Sequence, residues 1–423
     1  MNYHSRIQRV RKLLKAAESP TALLVSSAPE LLRSRDIHYP YRGSSNLFYL
    51  TGITAPGYTL LLSSQRSSPL LLTPQPTKQQ LVWDGPPPDF SAQIAAIDAE
   101  VVGAQEADAV IDRELQGINH LYHDTIAGST SLAVATRLVA LPSDQRGKRP
   151  RSLTHVDSLL APLRLIKDSQ ELAAISHAIS VTSDSIREAL PRIVPGALES
   201  DVARAIEAGF LLRGGETGFR TIVGTGPSAA VLHYIACSRR LKKGELVLID
   251  CGAEVSYYNG DITRVFPCGS KATGILRDLY QIVLESQEAA IAKVRDGVKI
   301  GVVYQAAATV LLEGLQELRI LPRRLPGGTE APEFRRYFPH GIGHSLGIDV
   351  HDAGESRGNL NFVLKEHMVF TVEPGLYNPK RSGPMPACGI RIEDDVLVTK
   401  NGATVLSGHL PKTLDAVEAL MGF

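Results

Sequence analysis

The chain is expected to be an α+β protein, with a smaller α/β domain in front of a larger mixed one. Three observations predict this. Strand and helix patterns alternate through the first third. A run of glycine, proline and like charges at about 142–153 then breaks the pattern. Beyond it, amphipathic helices are followed by apolar strands that end in carboxylates. At 423 residues the chain exceeds the usual size of one domain. The expected domains are 1–155 and 165–423.

Ile7, Val10, Leu13 and Leu14 recur at helical spacing within residues 5–18. Residues 22–25 read as a short buried strand. Residues 58–62 and 69–73 read as two more, joined by a polar turn at 63–68, and 119–123 as another. In the second domain, Glu171–Leu190 is an expected helix, stopped by Pro191. Asp201–Leu212 is a second, with Glu199, Ser200 and Asp201 offering capping groups. Residues 274–294 and 302–318 supply two more. No short tandem repeat is present.

Composition excludes several classes. With 43% hydrophobic and 21% charged residues, the chain can build a core and is not of the disordered type. A formal net charge of +1 implies neither a nucleic-acid nor an anionic-membrane partner. No stretch reaches the roughly 18–20 apolar residues of a membrane span, and the N-terminal stretch is charged and amphipathic, unlike a signal core. Cys237, Cys251, Cys268 and Cys388 show no C-x-x-C spacing and are too sparse for a disulfide scaffold, so they are expected as buried thiols in a reducing, cytoplasmic setting.

The chemistry is concentrated in two expected hairpins. Leu246-Val247-Leu248-Ile249 runs into Asp250, and a second strand follows from Tyr257, carrying Asp261. A hairpin centred between residues 255 and 256 would set Asp250 opposite Asp261, with Cβ atoms about 4.5–5.5 Å apart. Two carboxylates so close in an apolar setting cannot both stay ionised without a cation. The construction recurs downstream. Val369-Phe370-Thr371-Val372 ends in Glu373, and Gly389-Ile390-Arg391-Ile392 leads to Glu393. Glu373 and Glu393 are symmetric about Gly383, and Arg391 shares a strand face with Glu393.

Residues 340–352 add three histidines, His340, His344 and His351, among glycines. The spacing of His340 and His344 is that of a helical zinc motif, but Gly341 stands where that motif has its glutamate, and the glycines argue against a helix. Carboxylates with one imidazole suit a hard or borderline divalent ion. Four carboxylates exceed the need of one ion, so a two-metal hydrolase is expected.

At these residues the chain resembles the creatinase/methionine aminopeptidase superfamily, peptidase family M24, and within it the Xaa-Pro aminopeptidases. The segments carrying the likeness are 248–252, 260–264, His340 to His344, Asp349 to Asp352, Thr371 to Tyr377 and Gly389 to Asp395, in the family's order. Ser34-Arg35-Asp36, Tyr39-Pro40-Tyr41-Arg42 and residues 46–52 are similar to the family's N-terminal domain, and 163–171 to its approach to the catalytic domain.

The resemblance implies a pita-bread catalytic domain with two divalent metal ions, usually Mn²⁺, with Zn²⁺ or Co²⁺ as alternatives. It implies Asp250 at one ion, His344 and Glu373 at the other, and Asp261 and Glu393 bridging. Glu373 would activate a metal-bridging hydroxide. His233, His340 and His351 would be supporting or substrate-contacting histidines, and Arg391 would orient the neighbouring carboxylate. The implied substrates are peptides with proline second, and the implied assembly a homodimer or homotetramer. A dipeptidase limited to Xaa-Pro is the close alternative. A non-catalytic module on the same fold, and a creatinase-like hydrolase working without metal, are opposed by the complete ligand set. The chain departs from the family pattern at three places. Trp83, its one tryptophan and by itself expected in the core, is followed by Asp84-Gly85-Pro86-Pro87-Pro88 instead of an arginine-bearing stretch. The turn between Tyr377 and Gly389 is short, and His367 stands where a glycine is usual.

Overall fold

The computed structural model describes residues 1–142, 147–354 and 358–423. Part of the expected boundary loop, 143–146, lies outside the described residues. The chain divides into two compact units, Met1–Leu163 and Arg164–Phe423. Residues 156–164, left between the two expected domains, are largely taken up by the helix Asp157–Leu165.

In the first unit a six-stranded sheet forms around Thr21–Ser26, whose six residues are all buried. Thr59–Ser63 pairs antiparallel on one side of it and His120–His123 parallel on the other. Thr59–Ser63 and Leu70–Thr73 form the expected hairpin. Buried aliphatic residues from the sheet and from the helices Ala107–Glu114 and Thr130–Ala140 close its core. Trp83 corrects the reading of a core residue. It ends the six-residue helix Lys78–Trp83, which buries none of its side chains, and is itself 77% exposed. A helix of under two turns, followed by prolines, has no second apolar row with which to dock a large ring.

The second unit repeats one plan twice: two helices, then a hairpin. Helices Ser169–Ala189 and Glu199–Leu212 precede the strands Leu246–Cys251 and Ile262–Pro267. Helices Ile275–Ile291 and Ile300–Glu317 precede Val369–Val372, Gly375–Asn378, Cys388–Arg391 and Asp394–Val398. Asp168 caps the first helix in a reciprocal box with Glu171. The Glu171 carboxylate, itself buried, also accepts from the Tyr258 hydroxyl at 3.1 Å, which ties the helix to the first hairpin. One aliphatic and aromatic core lies beneath the second pair of helices and both hairpins.

His367 occupies φ +68°, the left-handed region. A side chain there costs about 1–2 kcal/mol, partly offset by the greater freedom glycine has when unfolded. His367→Gly is therefore expected to stabilise the protein by about 0.5–1 kcal/mol, read as a higher midpoint in urea at unchanged m.

Candidate metal centre

The first hairpin turns at Ser256-Tyr257, with φ of +50° and +71°. Two consecutive left-handed residues are what a tight two-residue hairpin turn requires. The centre thus lies one residue later than the sequence suggests. Asp250 faces Thr263, and Cys251 faces Ile262. This corrects the expected Asp250–Asp261 pairing. A one-residue shift of the centre moves each partner by two, so Asp261 stays on the same face as Thr263. The carboxylates converge on a diagonal instead of directly across.

The second hairpin keeps the expected register. Gly375 faces Arg391 and Val372 faces Asp394, every pair equidistant from Gly383. Glu373 and Glu393 lie between those two ladders. The glycine-rich histidine segment runs beside Val369–Val372, with an antiparallel bridge between Ser345 and Phe370. Thr371 N donates to His344 O at 2.8 Å, Glu373 N to Ile342 O at 2.9 Å and Leu346 N to Val369 O at 3.1 Å. Gly343 is required for this approach, because a Cβ there would collide with the Thr371 carbonyl oxygen. This pairing sets His344 beside Glu373.

Metal-binding atoms of Asp261, His344 and Glu393 lie within 4.8 Å of one another. His344 Nε2 is 3.5 Å from Asp261 Oδ2 and 3.6 Å from Glu373 Oε1. Asp250 joins through Arg391, whose Nη2 donates to its Oδ2. Arg391 Nε also donates to Thr263 Oγ1 at 3.1 Å, and Nη1 to the Tyr377 hydroxyl at 3.0 Å. Arg391 therefore bonds to a carboxylate of the other hairpin, Asp250.

The electrostatics favour cations. Burial pushes the Asp261 carboxyl well above the usual carboxylate range, and the charges of Asp250, Asp395 and Glu373 add to that. Burial does the same to Glu393, reinforced by Asp261, Glu373 and Asp250. Asp250 Oδ1 is buried with no hydrogen-bond partner among the described residues. His344 Nδ1 lies 3.2 Å from the Ser345 carbonyl oxygen, which can only accept, so Nε2 presents its lone pair to the carboxylates. An orphaned carboxylate oxygen, an oriented imidazole and crowded acidic groups fit divalent cations with oxygen and nitrogen ligands.

The five residues line a cavity of about 700 Å³, which His233, His340, His351 and Arg391 also line. His340 is held between two partners. Its Nδ1 is 2.8 Å from the Gly341 carbonyl oxygen and its Nε2 2.8 Å from the Tyr377 hydroxyl. Burial lowers its pKa to about 3, with the Arg391 charge acting in the same direction, so the ring is neutral and accepts at Nε2. The His351 ring lies 4.2 Å from that of His344. His233 is exposed at the cavity.

Four further residues were given no role from sequence. Thr263 Oγ1 donates to Glu393 Oε2 at 2.6 Å. Thr371 Oγ1 accepts from His344 N at 3.0 Å. Tyr377 bridges Arg391 and His340. Asp395 Oδ2 accepts from Asp261 N at 3.0 Å. The usable signal was strand alternation, since Thr263 and Thr371 each lie two residues from an acidic ligand candidate. Phe219, Leu232, Ile235 and Val350 also line the cavity, as an apolar part of its wall.

Residues 173–400 match the model of metallopeptidase family M24, and residues 6–122 that of the aminopeptidase P N-terminal domain. The chain is 31% identical over 428 residues to an Xaa-Pro aminopeptidase of Escherichia coli (strain K12), spanning 98% of this chain and 96% of the relative. It is 29% identical over 410 residues to Xaa-Pro aminopeptidase 3 of Homo sapiens, spanning 94% and 80%. The solved structure of zinc-substituted E. coli aminopeptidase P in complex with product superposes with a TM-score of 0.90 at 30% identity, covering 99% of this chain and 98% of that one. Pseudomonas aeruginosa aminopeptidase PepP gives 0.89 at 30%, with the same coverage.

Proposed function

This chain belongs to metallopeptidase family M24, and from that membership we propose that it is an Xaa-Pro aminopeptidase, removing the N-terminal residue of peptides whose second residue is proline. One observation carries the reading. All four carboxylates and the imidazole needed for two cations meet at one cavity, in a chain similar along nearly its whole length to Xaa-Pro aminopeptidases.

Asp250 would hold one cation, His344 and Glu373 the other, and Asp261 and Glu393 would lie between. When bound, such cations lower the pKa of water towards neutrality and polarise a scissile carbonyl. The chain's own groups do the rest. Glu373 lines the cavity and would take a proton from the attacking water. Neutral His340 accepts from Tyr377, so the Tyr377 oxygen stays directed at Arg391, and Arg391 keeps Asp250 in place. His233 and His351 can hold or deliver a proton at the prolyl nitrogen as it leaves. The apolar side chains Phe219, Leu232, Ile235 and Val350 suit a pyrrolidine ring.

The carboxylate-rich donor set supports Mn²⁺ as the ion. The four buried free thiols support a cytoplasmic setting. Homodimer or homotetramer assembly rests on the family resemblance and is read by light scattering. For the activity, purified protein with Mn²⁺ is expected to cleave an Xaa-Pro-Xaa tripeptide and to lose that activity on chelation. Turnover confined to the Xaa-Pro dipeptide would replace this reading by a dipeptidase. Binding without any turnover would replace it by a non-catalytic module.

A further inference from the structure

Residues 225–239 form an arch over one side of the cavity, and both its ends are tied to one buried carboxylate. Glu199, the first residue of the helix Glu199–Leu212, is fully buried. Its Oε1 accepts from Thr225 N at 2.8 Å, Thr225 Oγ1 at 2.9 Å and Ser228 Oγ at 2.7 Å. Its Oε2 accepts from the Tyr234 hydroxyl at 2.9 Å and Arg239 N at 2.8 Å. A carboxylate has about four lone-pair sites, so five donors saturate it. Glu199 N donates back to Arg239 O at 2.9 Å, and the Arg239 guanidinium closes the arch on the Thr225 carbonyl oxygen. Near its start the arch presses on the strand that carries Arg391, where a Cβ on Gly389 would collide with the Ala229 carbonyl oxygen.

The arch carries Leu232, His233 and Ile235 to the cavity. Among the described residues no hydrogen bond holds the His233 ring itself, so its place depends on the backbone beneath it. Tyr234 is the next residue. Its hydroxyl donates to Glu199 and accepts from Ser238 N at 3.0 Å, pinning the backbone beside His233 from below.

We propose that Glu199 and Tyr234 are positioning residues that hold His233 at the cavity and act on the reaction through it. The proposal rests on the reading that His233 contacts substrate. A hydrogen bond to a buried carboxylate is stronger than one between neutral groups and is enough to fix a loop that would otherwise sample other places.

The test is a double-mutant cycle on the full-length protein with Mn²⁺, using Tyr234→Phe, His233→Ala and both together. The readouts are kcat and KM on an Xaa-Pro-Xaa peptide, metal content and Tm. Tyr234→Phe is expected to lower kcat/KM about tenfold, with two ions still bound. In the His233→Ala background the same change is expected to have no further effect, within about twofold. Glu199→Gln replaces one acceptor by an amide and is the second variant, expected to behave the same way. If His233→Ala leaves activity unchanged, the catalytic reading of His233 fails. If His233→Ala is impaired while folded Tyr234→Phe and Glu199→Gln are not, the positioning proposal is overturned. Losses that multiply in the double variant overturn it too, because Tyr234 would then act independently of His233.

Discussion

Asp261→Ala is expected to lower kcat/KM on an Xaa-Pro-Xaa peptide by at least about 10³-fold, equivalent to about 4 kcal/mol of transition-state stabilisation. Its metal content is expected to fall below that of the unsubstituted protein. Asp261 lies within 4.8 Å of both His344 and Glu393 at their metal-binding atoms, so its loss would remove one of three converging donors that would hold a cation. A second readout separates a ligand from a fold-stabilising residue. Burial and the charges of Asp250, Asp395 and Glu373 raise the Asp261 carboxyl pKa above its ordinary value. A folded-state pKa above the unfolded one gives stability at low pH that is lost as pH rises through the folded value. Metal-free protein therefore carries a destabilising group at neutral pH, and Asp261→Ala removes it. Metal-free Asp261→Ala is expected to melt no lower than its parent, while the rise in Tm on adding Mn²⁺ shrinks. A variant that melts lower without metal and keeps the full Mn²⁺ shift would show Asp261 to be structural.

Asp352→Asn is expected to cost about 3–5 kcal/mol of stability, because it leaves the buried Lys167 ammonium without its counter-charge and Arg164, among the described residues, with Asp349 alone. Arg164 Nη2 lies 2.5 Å from Asp352 Oδ1 and Lys167 Nζ 2.5 Å from Oδ2, with all three side chains at most 3% exposed. Asp349 takes a second contact from Arg164 at 2.6 Å. Asp352 N also donates to Ser345 O at 2.9 Å, and Ser345 Oγ to Asp352 O at 2.8 Å, which closes the loop holding His344 and His351. The substitution is expected to lower activity as well, by loosening both histidines. Burial alone would raise the Asp352 carboxyl, but the charges of Arg164 and Lys167 outweigh it and hold it below its ordinary value of 3.8. A depressed acid pKa gives stability that is present above the unfolded value and lost as pH falls through the folded one. Urea unfolding at pH 7 and near pH 3 is therefore expected to show a smaller gap between parent and variant at the lower pH. An equal gap at both would mean that the charge of Asp352 is not what stabilises this loop.

Much of the architecture was legible because it follows from local periodicity. Apolar runs bounded by turn residues marked the strands, and rows of apolar residues at helical spacing marked the helices beneath the site. The acidic residues stood out only as a set, because one acidic residue after an apolar strand reads as a turn residue, whereas four at strand positions beside a glycine-rich histidine segment do not. The register about Gly383 was legible too, since the two halves of that hairpin are symmetric in the sequence. The register of the first hairpin was not. Its turn uses Ser256 and Tyr257 in left-handed conformations, and neither residue type announces that geometry.

By itself the sequence determined which side chains could bind cations and that they lie on two hairpins and one glycine-rich histidine segment, because donor chemistry and strand alternation are local properties. Only the tertiary structure decided how they meet. Asp250 and Asp261 converge on a diagonal, Arg391 reaches across to Asp250, His344 is set beside Glu373 by pairing with Val369–Val372, and Glu199 gathers the arch that carries His233. Those contacts join residues far apart in the chain, and their geometry depends on register and side-chain reach, which no spacing in the sequence encodes.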